Sequence, residues 1–360
     1  MNAPTLESSK LGYRVELLPC NGLANPRRSE ILESRRPTVI DTIDAQVAEL
    51  IKMQEPSRPW SDEDSLIAAR QQLGDNPELY GTWVYYSWRN TLVHLLSEAE
   101  FVQVRTNRNQ HKITASEQQT LRSKRLGIIG LSVGSGIALT MAMERTVGVL
   151  RIADFDDLEL SNLNRLRSSV CNLGLPKAVI AAREIAEIDP YLKVEVFSSG
   201  VNADNIDAFL GGDRQPLDLL VEECDSLAIK ILARVKARER GIPVIMETSD
   251  RGMVDIERFD LQPDLGILHG RLSDEECQTV IDSGTWTPEM AARIMSPAET
   301  SERMKLSISE LGKSIGRWPQ LASEVSSGAG VVTHLSRKIL LGDKVLKGRK
   351  FLDPYELFLD

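Results

Sequence analysis

Residues 125–157 read RLGIIGLSVGSGIALTMAMERTVGVLRIADFDD: an apolar run, a glycine-rich turn, a helical segment and a second apolar run ending in carboxylates. Strands covered on both faces read as continuous apolar runs, whereas an amphipathic helix repeats every 3.6 residues. The same alternation continues through PKAVIAAREIAEID (helix), KVEVFSS (strand), NADNIDAFLGG (short helix) and PLDLLVEEC (strand). SLAIKILARVKARERG follows as a helix stopped by Gly241, and IPVIMETS as a fifth strand. Short apolar strands alternating with helices predict an α/β fold, a doubly wound Rossmann-like parallel sheet. After Ser249 the alternation stops. GMVDIERFDL predicts an antiparallel C-terminal addition, followed by helices in TPEMAARIMS, SERMKLSISELGKSIG and LASEVSSGAGVVTHLSRKILLG. KFLDPYELFLD predicts a terminal strand or clamp.

Upstream, residues 1–35 lack periodicity and read as loose chain. VIDTIDAQVAELIKMQ (39–54) predicts a helix, and Ser61, with Glu63 and Asp64, caps a second one. Residues 81–114 carry Trp83, Tyr85, Tyr86 and Trp88, either a packing pad or a recognition surface for a peptide or carrier protein. ASEQQTLRSK leads out as a helix. The N-terminal extension is thus expected to be mainly helical.

The 360 residues, 42% hydrophobic and 26% charged, suffice for a full core. A net charge of -9 argues against nucleic acid or anionic membrane as partner. MNAPTLESSKLGYRVELL lacks the basic and apolar regions of a secretory signal, and no apolar run approaches a membrane span. Cys20, Cys171, Cys224 and Cys277 are scattered without a C-x-x-C pair, which speaks against a zinc ribbon or a disulfide framework. A reducing cytoplasm is the expected compartment.

Open parallel sheets bind ligands at the carboxyl ends of their strands. The first strand leads into Gly130, Ser132, Gly134 and Gly136. Glycines let the backbone approach a phosphate, and the next helix offers free N–H groups. Ser132 and Ser135 occupy the second and third glycine places of G-x-G-x-x-G, so the loop alone fits a phosphate cradle or tight strand–helix packing. Asp154 ends the second strand near the ~20-residue offset of a ribose ligand, or serves as a cap. Asn162, Arg165 and Lys177 add an amide and two cations at the same edge, more than a dinucleotide pyrophosphate needs and suited to a triphosphate; alternatively they are surface groups. Asp225 ends the fourth strand, as a ligand for Mg²⁺ or as a helix cap. Asp156, Asp157 and Glu159 have no assigned role beyond solubility.

IIGLSVGSG, ADFDDLELSNLNR, LGLPK and EECD, in this order, resemble the ThiF/MoeB/HesA superfamily, which shares the adenylating domain of ubiquitin-activating enzymes. The likeness runs from about Arg105 to Leu261, more loosely to Gly342. It suggests residues 1–104 as a docking or recognition extension, 105–342 as the adenylating domain and 343–360 as a tail. The extension is similar to that of bacterial ThiF-like proteins related to nitroreductase fusions, although the chain is expected to stop short of such a domain.

The resemblance implies an ATP-dependent adenylyltransferase that activates the carboxylate of a small carrier protein or a peptide. In it Gly130, Ser132 and Gly134 would line the nucleotide loop and Asp154 would bind ribose. Asn162, Arg165 and Lys177 would hold the triphosphate, and Asp225 would hold Mg²⁺. Arg108, in the R-x-x-R that begins at Arg105, would reach the partner's ATP across a homodimer. The family's zinc cysteines are missing, so no structural zinc is expected. Cys277 is the one candidate for a thioester, and its neighbours Asp274, Glu275 and Glu276 would raise its pKa. Beside the site, Asp250 and Arg251 would contact substrate or pair with each other, and His269 reads as an ordinary hydrogen-bonded histidine. Two alternatives stay open. An NAD- or FAD-linked oxidoreductase explains the glycine loop and Asp154 but leaves Asn162, Arg165, Lys177 and Asp225 without purpose. A non-catalytic nucleotide-binding protein would explain the missing glycines.

Overall fold

The structure, a computed structural model, describes residues 12–20, 22–212 and 215–359. The chain divides into two units: residues up to Ser116 with Arg183–Tyr191, and Glu117–Ala182 with Leu192–Asp360.

The first unit contains β1 (Glu16–Pro19), α1 (Pro26–Arg35), β2 (Thr38–Asp41), α2 (Ile43–Gln54), α3 (Asp62–Leu73), β3 (Thr82–Tyr86), β4 (Thr91–Leu95) and α4 (Glu98–Thr106). Helices predominate, but between them lies a four-stranded sheet of order β1-β3-β4-β2 that periodicity did not reveal. Residues 16–35 are not loose. Asn25 caps α1 by accepting from the Arg27 backbone, Arg27 forks onto Glu16 at 2.9 and 3.1 Å, and Ile31 is fully buried. The helix expected from residue 39 starts at Ile43, because Thr38–Asp41 pairs in parallel with β4. A run of β-branched Thr38, Val39 and Ile40 fits a pleated edge better than a helix. Ser61 caps α3 as expected, its Oγ accepting from Asp64 N at 3.0 Å. Trp83, Tyr85 and Tyr86 of the aromatic stretch are interior packing, and Trp88 is half-buried. Trp83 stacks on His94 with ring centroids 4.1 Å apart, and Tyr86 Oη donates to Ala186 O.

The second unit carries α5 (Ala115–Arg122, whose first two residues belong to the first unit), β5 (Arg125–Ile129), α6 (Gly134–Glu144), β6 (Val149–Ala153), α7 (Lys177–Ile188, shared with the first unit from Arg183), β7 (Lys193–Phe197), α8 (Ile206–Leu210), β8 (Leu219–Glu222), α9 (Leu227–Glu239) and β9 (Val244–Thr248). Then follow β10 (Met253–Glu257), α10 (Asp274–Ser283), α11 (Pro288–Met295), α12 (Glu302–Glu310), α13 (Ala322–Leu340) and β11 (Gly348–Phe351). The sheet runs β11-β10-β9-β8-β5-β6-β7. Its five strands from β9 to β7 are parallel, and β10 and β11 add antiparallel at one edge, as the sequence predicts. From β5 the chain winds outward through β6 and β7, then returns to β8 on the other side. The crevice between β5 and β8 is therefore the topological switch, where such sheets hold ligands. Among the described residues no helix is long and apolar enough to cross a membrane.

Two buried features under the helical layers carry consequences for stability. On the α9 side, Arg234 is fully buried and donates from Nε to Glu257 at 2.6 Å and from Nη1 to Glu222, which also takes Lys230 at 2.7 Å. Burial would raise the Glu222 carboxyl, but the charges of Lys230 and Arg234 outweigh it and hold it down at about 2. Under α13, Glu247 is 4% exposed and neither of its carboxylate oxygens has a hydrogen-bond partner. A side chain at Gly328 of α13 would overlap this carboxyl, which explains the glycine. Burial, with the charge of Glu324, pushes Glu247 up to about 8.

Arg234→Ala strands two buried carboxylates and is expected to lose on the order of 3–5 kcal/mol, read as a lower urea midpoint. Glu247 gives a pH signature. Between its unfolded pKa and its raised folded pKa, the folded state holds a proton that the unfolded state has lost, so stability falls as pH rises through that window. Glu247→Gln cannot ionise and is expected to gain on the order of 2–4 kcal/mol relative to wild type between about pH 5 and about pH 8.5. Parallel pH–stability curves for the two proteins would refute it.

Candidate nucleotide site

The loop between β5 and α6 is pinned from both sides. Gly130 has φ +87°, its N–H donates to Ala153 O at 2.9 Å, and a Cβ there would lie 2.6 Å from Glu223 O. Gly134 is equally confined, since a Cβ would lie 2.6 Å from Ile128 Cγ2. Tight packing thus accounts for both glycines.

Asp154 ties this loop to the next one. It is buried, and its carboxylate accepts from Leu131 N at 2.7 Å and Asp156 N at 2.8 Å. Burial raises its pKa and these two N–H groups lower it, with a net rise. It braces two turns and is no helix cap. Asn162, also buried, turns its side-chain oxygen to Glu159 N at 3.0 Å and so closes the 3₁₀ turn Leu160–Asn164. Lys177 lies at the start of α7 with Nζ 2.8 Å from Asp156. Asp156 and Glu159, which looked like solubility charges, therefore hold cations: Glu159 takes Arg317 at 2.7 Å.

Arg165 reaches the glycine loop. Its Nη2 donates to Ser132 Oγ at 3.2 Å and its Nη1 to Asn164 Oδ1 at 2.9 Å, while Nε is buried with no hydrogen-bond partner. Burial lowers its pKa, and Asp225 acts in the opposite direction. Asp225 is exposed and is not the cap of α9. Ser226 is, its Oγ accepting from Ile229 N at 3.5 Å. The structure thus brings together Ser132, Arg165 and Asp225 at the β5–β8 crevice, with Asp154, Asp156 and Lys177 joined to the same loop through Leu131. The Ser132–Arg165 contact and the pairing of Lys177 with Asp156 were invisible in sequence, because residues 33 and 21 positions apart meet only in the folded loops.

Arg105 and Arg108 belong to the first unit, where Arg105 pairs with Asp189 at 3.2 Å and Arg108 is exposed on the turn Asn107–Asn109. Asp250 and Arg251 do not pair with each other. Asp250 accepts from Ser301 N at 3.0 Å, and Arg251 donates to Glu356 at 2.5 Å. His269 is hydrogen-bonded as expected, to Asp255 at 2.5 Å. Cys277 is buried in α10, and burial, reinforced by Asp274, pushes its thiol up to about 11. Acidic neighbours give the right direction; the larger cause, burial, needed the fold. A cavity of about 430 Å³, lined by Leu73, Tyr80, Ser97 and Glu100, lies within the first unit and contains none of these site residues.

These groups suit a nucleoside triphosphate. A buried guanidinium N–H without an acceptor, a second cation on an exchangeable carboxylate and a glycine-rich turn are what phosphate oxygens require. An exposed Asp225 beside them suits Mg²⁺, which keeps most of its waters and takes one or two carboxylates alongside phosphate.

Residues 105–280, which contain every residue of this crevice, match the model of the ThiF family. The uncharacterised protein MT1398 of Mycobacterium tuberculosis is 44% identical over 274 residues, covering 75% of this chain and 38% of its own length. Ubiquitin-like modifier-activating enzyme 5 of Drosophila erecta is 28% identical over 134 residues, covering 35% of this chain and 33% of its own. The chain thus spans well under half the length of these two relatives. The tRNA N6-threonylcarbamoyladenosine dehydratase TcdA of E. coli superposes with a TM-score of 0.48 at 16% identity, covering 69% of this chain and 98% of that one.

Proposed function

We propose that this protein is an ATP-dependent adenylyltransferase that converts a carboxylate, the C-terminus of a ubiquitin-like carrier protein or a peptide carboxylate, into its acyl adenylate and pyrophosphate. The observation that carries the proposal is Arg165, fixed on Ser132 of the glycine loop with a buried Nε still lacking an acceptor. The family match over 105–280 supports the activity, and the modifier-activating enzyme over 134 residues supports a carrier protein as substrate.

A substrate carboxylate oxygen attacks the α-phosphorus, the bond from that phosphorus to the bridging oxygen breaks, and pyrophosphate leaves with the electron pair. The protein needs little covalent chemistry. It contributes in-line positioning and cations that meet the charge on the leaving group. Asp154 uses one lone pair of each oxygen on a backbone N–H and has others for the ribose hydroxyls. Lys177 exchanges Asp156 for a phosphate oxygen, Arg165 holds the leaving group, and Asn162 keeps their turn in shape. Asp225 would hold Mg²⁺, which when bound neutralises part of the phosphate charge. Arg108 serves the site of a second copy, so the active form is a homodimer.

Arg165→Ala and Asp225→Ala are each expected to cut ATP–pyrophosphate exchange by on the order of 10²–10³ while the protein stays folded. The assay uses a ubiquitin-like carrier ending in Gly-Gly as the first substrate. Exchange near the wild-type rate in both variants would sink the assignment. Mixing inactive Arg108→Ala with inactive Arg165→Ala should restore activity in the heterodimers, since one site then has both arginines. No recovery after subunit exchange would place Arg108 outside the reaction.

A further inference from the structure

The segment between α12 and α13 is tied to the site loop at two points. It turns at Gly312, whose N–H donates to Ile315 O at 2.8 Å, and then runs through Gly316, Arg317, Trp318, Pro319 and Gln320 into α13. Arg317 forks onto Glu159 at 2.7 and 3.3 Å, and Gln320 O accepts from Asn164 Nδ2 at 2.8 Å. Glu159 is the cap of the turn that presents Asn162, and Asn164 precedes Arg165. The Asn164 amide in fact bridges the two elements, since its oxygen takes the Arg165 guanidinium while its nitrogen holds the strap.

We infer that Arg317 is a second arginine for the β- and γ-phosphates, carried over the nucleotide loop by this strap and resting on Glu159 until phosphate displaces that carboxylate. The inference rests on the nucleotide site proposed above and adds to it a residue from outside the segment that matches the ThiF family.

Three observations support it. Arg317 is 71% exposed, so its guanidinium is open to a ligand from solvent. Its ion pair with a half-exposed carboxylate is of the kind worth little in water, so a multiply charged phosphate can take the guanidinium from it. Both arginines are also carried on one turn, Arg317 on Glu159 and Arg165 on Asn164, whose amide holds the strap as well, and the charge of Arg317 acts on Arg165 to lower its pKa. Like charges converging on one place are relieved by an anion between them, and a forked guanidinium matches phosphate oxygens. AMP lacks the outer phosphates, so Arg317 should distinguish ATP from AMP.

The test is calorimetric titration of the full chain with ATP and with AMP in the presence of Mg²⁺, which needs no acyl substrate. Arg317→Ala should weaken ATP binding at least about tenfold and leave AMP within about twofold. Arg317→Lys should fall between, retaining charge without the fork. Lys313→Ala, on the same strap but outside the anchors, should leave both affinities within about twofold. Unchanged ATP binding in Arg317→Ala, an equal loss for ATP and AMP, or an equal loss in Lys313→Ala would each overturn the inference. If wild type binds ATP and Arg165→Ala does not, while Arg317→Ala binds normally, only the role of Arg317 falls. A wild-type protein that binds neither nucleotide removes the underlying site and this inference with it.

Discussion

Asp154 holds the two halves of the candidate site in register. One oxygen takes the N–H of Leu131 in the glycine turn and the other takes the N–H of Asp156 in the loop after β6. Burying a carboxylate is unfavourable unless its lone pairs are met, and here two backbone donors meet them. The donors lie on different loops, so the cost of burying Asp154 is offset only when both loops adopt their observed shapes. Everything downstream follows this brace: Asp156 positions Lys177, Glu159 caps the turn of Asn162, and Arg165 swings back onto Ser132.

The electrostatics of the crevice have a common pattern. Lys177 rests on Asp156 and Arg317 on Glu159, and both carboxylates are about half exposed. Cations crowded at a strand edge would repel one another if left bare, and a permanently buried ion pair would be too strong to surrender. For Arg317 the exposed carboxylate is a middle course, since water screens that pair and its rupture costs little, whereas Lys177 is itself buried and only its Asp156 partner faces water. Arg165 differs, its hydrogen bonds going to neutral oxygens of Ser132, Ser161 and Asn164 while Asp225 acts on its charge without a hydrogen bond. By contrast the Glu222–Arg234–Glu257 network behind β8 is fully buried and serves the fold.

Much of the fold was legible because period and length are local properties. Apolar runs of five residues between helical stretches placed the parallel strands, and the break in alternation after Ser249 placed the antiparallel edge. The first unit was less legible. Residues 16–35 have no period because a four-residue strand and a ten-residue helix are too short to show one, and they are held by Arg27–Glu16 and by Ile31. The strand at Thr38–Asp41 was absorbed into the following helix, since pairing with β4 is a non-local gain that propensity cannot show. In the site, types and order of residues suggested the ligand, but the partners of Asp156, Glu159, Asp250 and Arg251 did not follow from spacing.

The sequence by itself determined the doubly wound sheet, the strand edge that carries the candidate site and the chemical types gathered there, because hydrophobic period and residue identity are written along the chain. Only the tertiary structure decided which charges pair. It set Ser226 rather than Asp225 as the cap of α9, buried Cys277 and so raised its thiol pKa, and brought Arg317 to a loop more than 150 residues away. Those outcomes depend on burial and on distances between loops, and both exist only once strands from distant parts of the chain lie side by side.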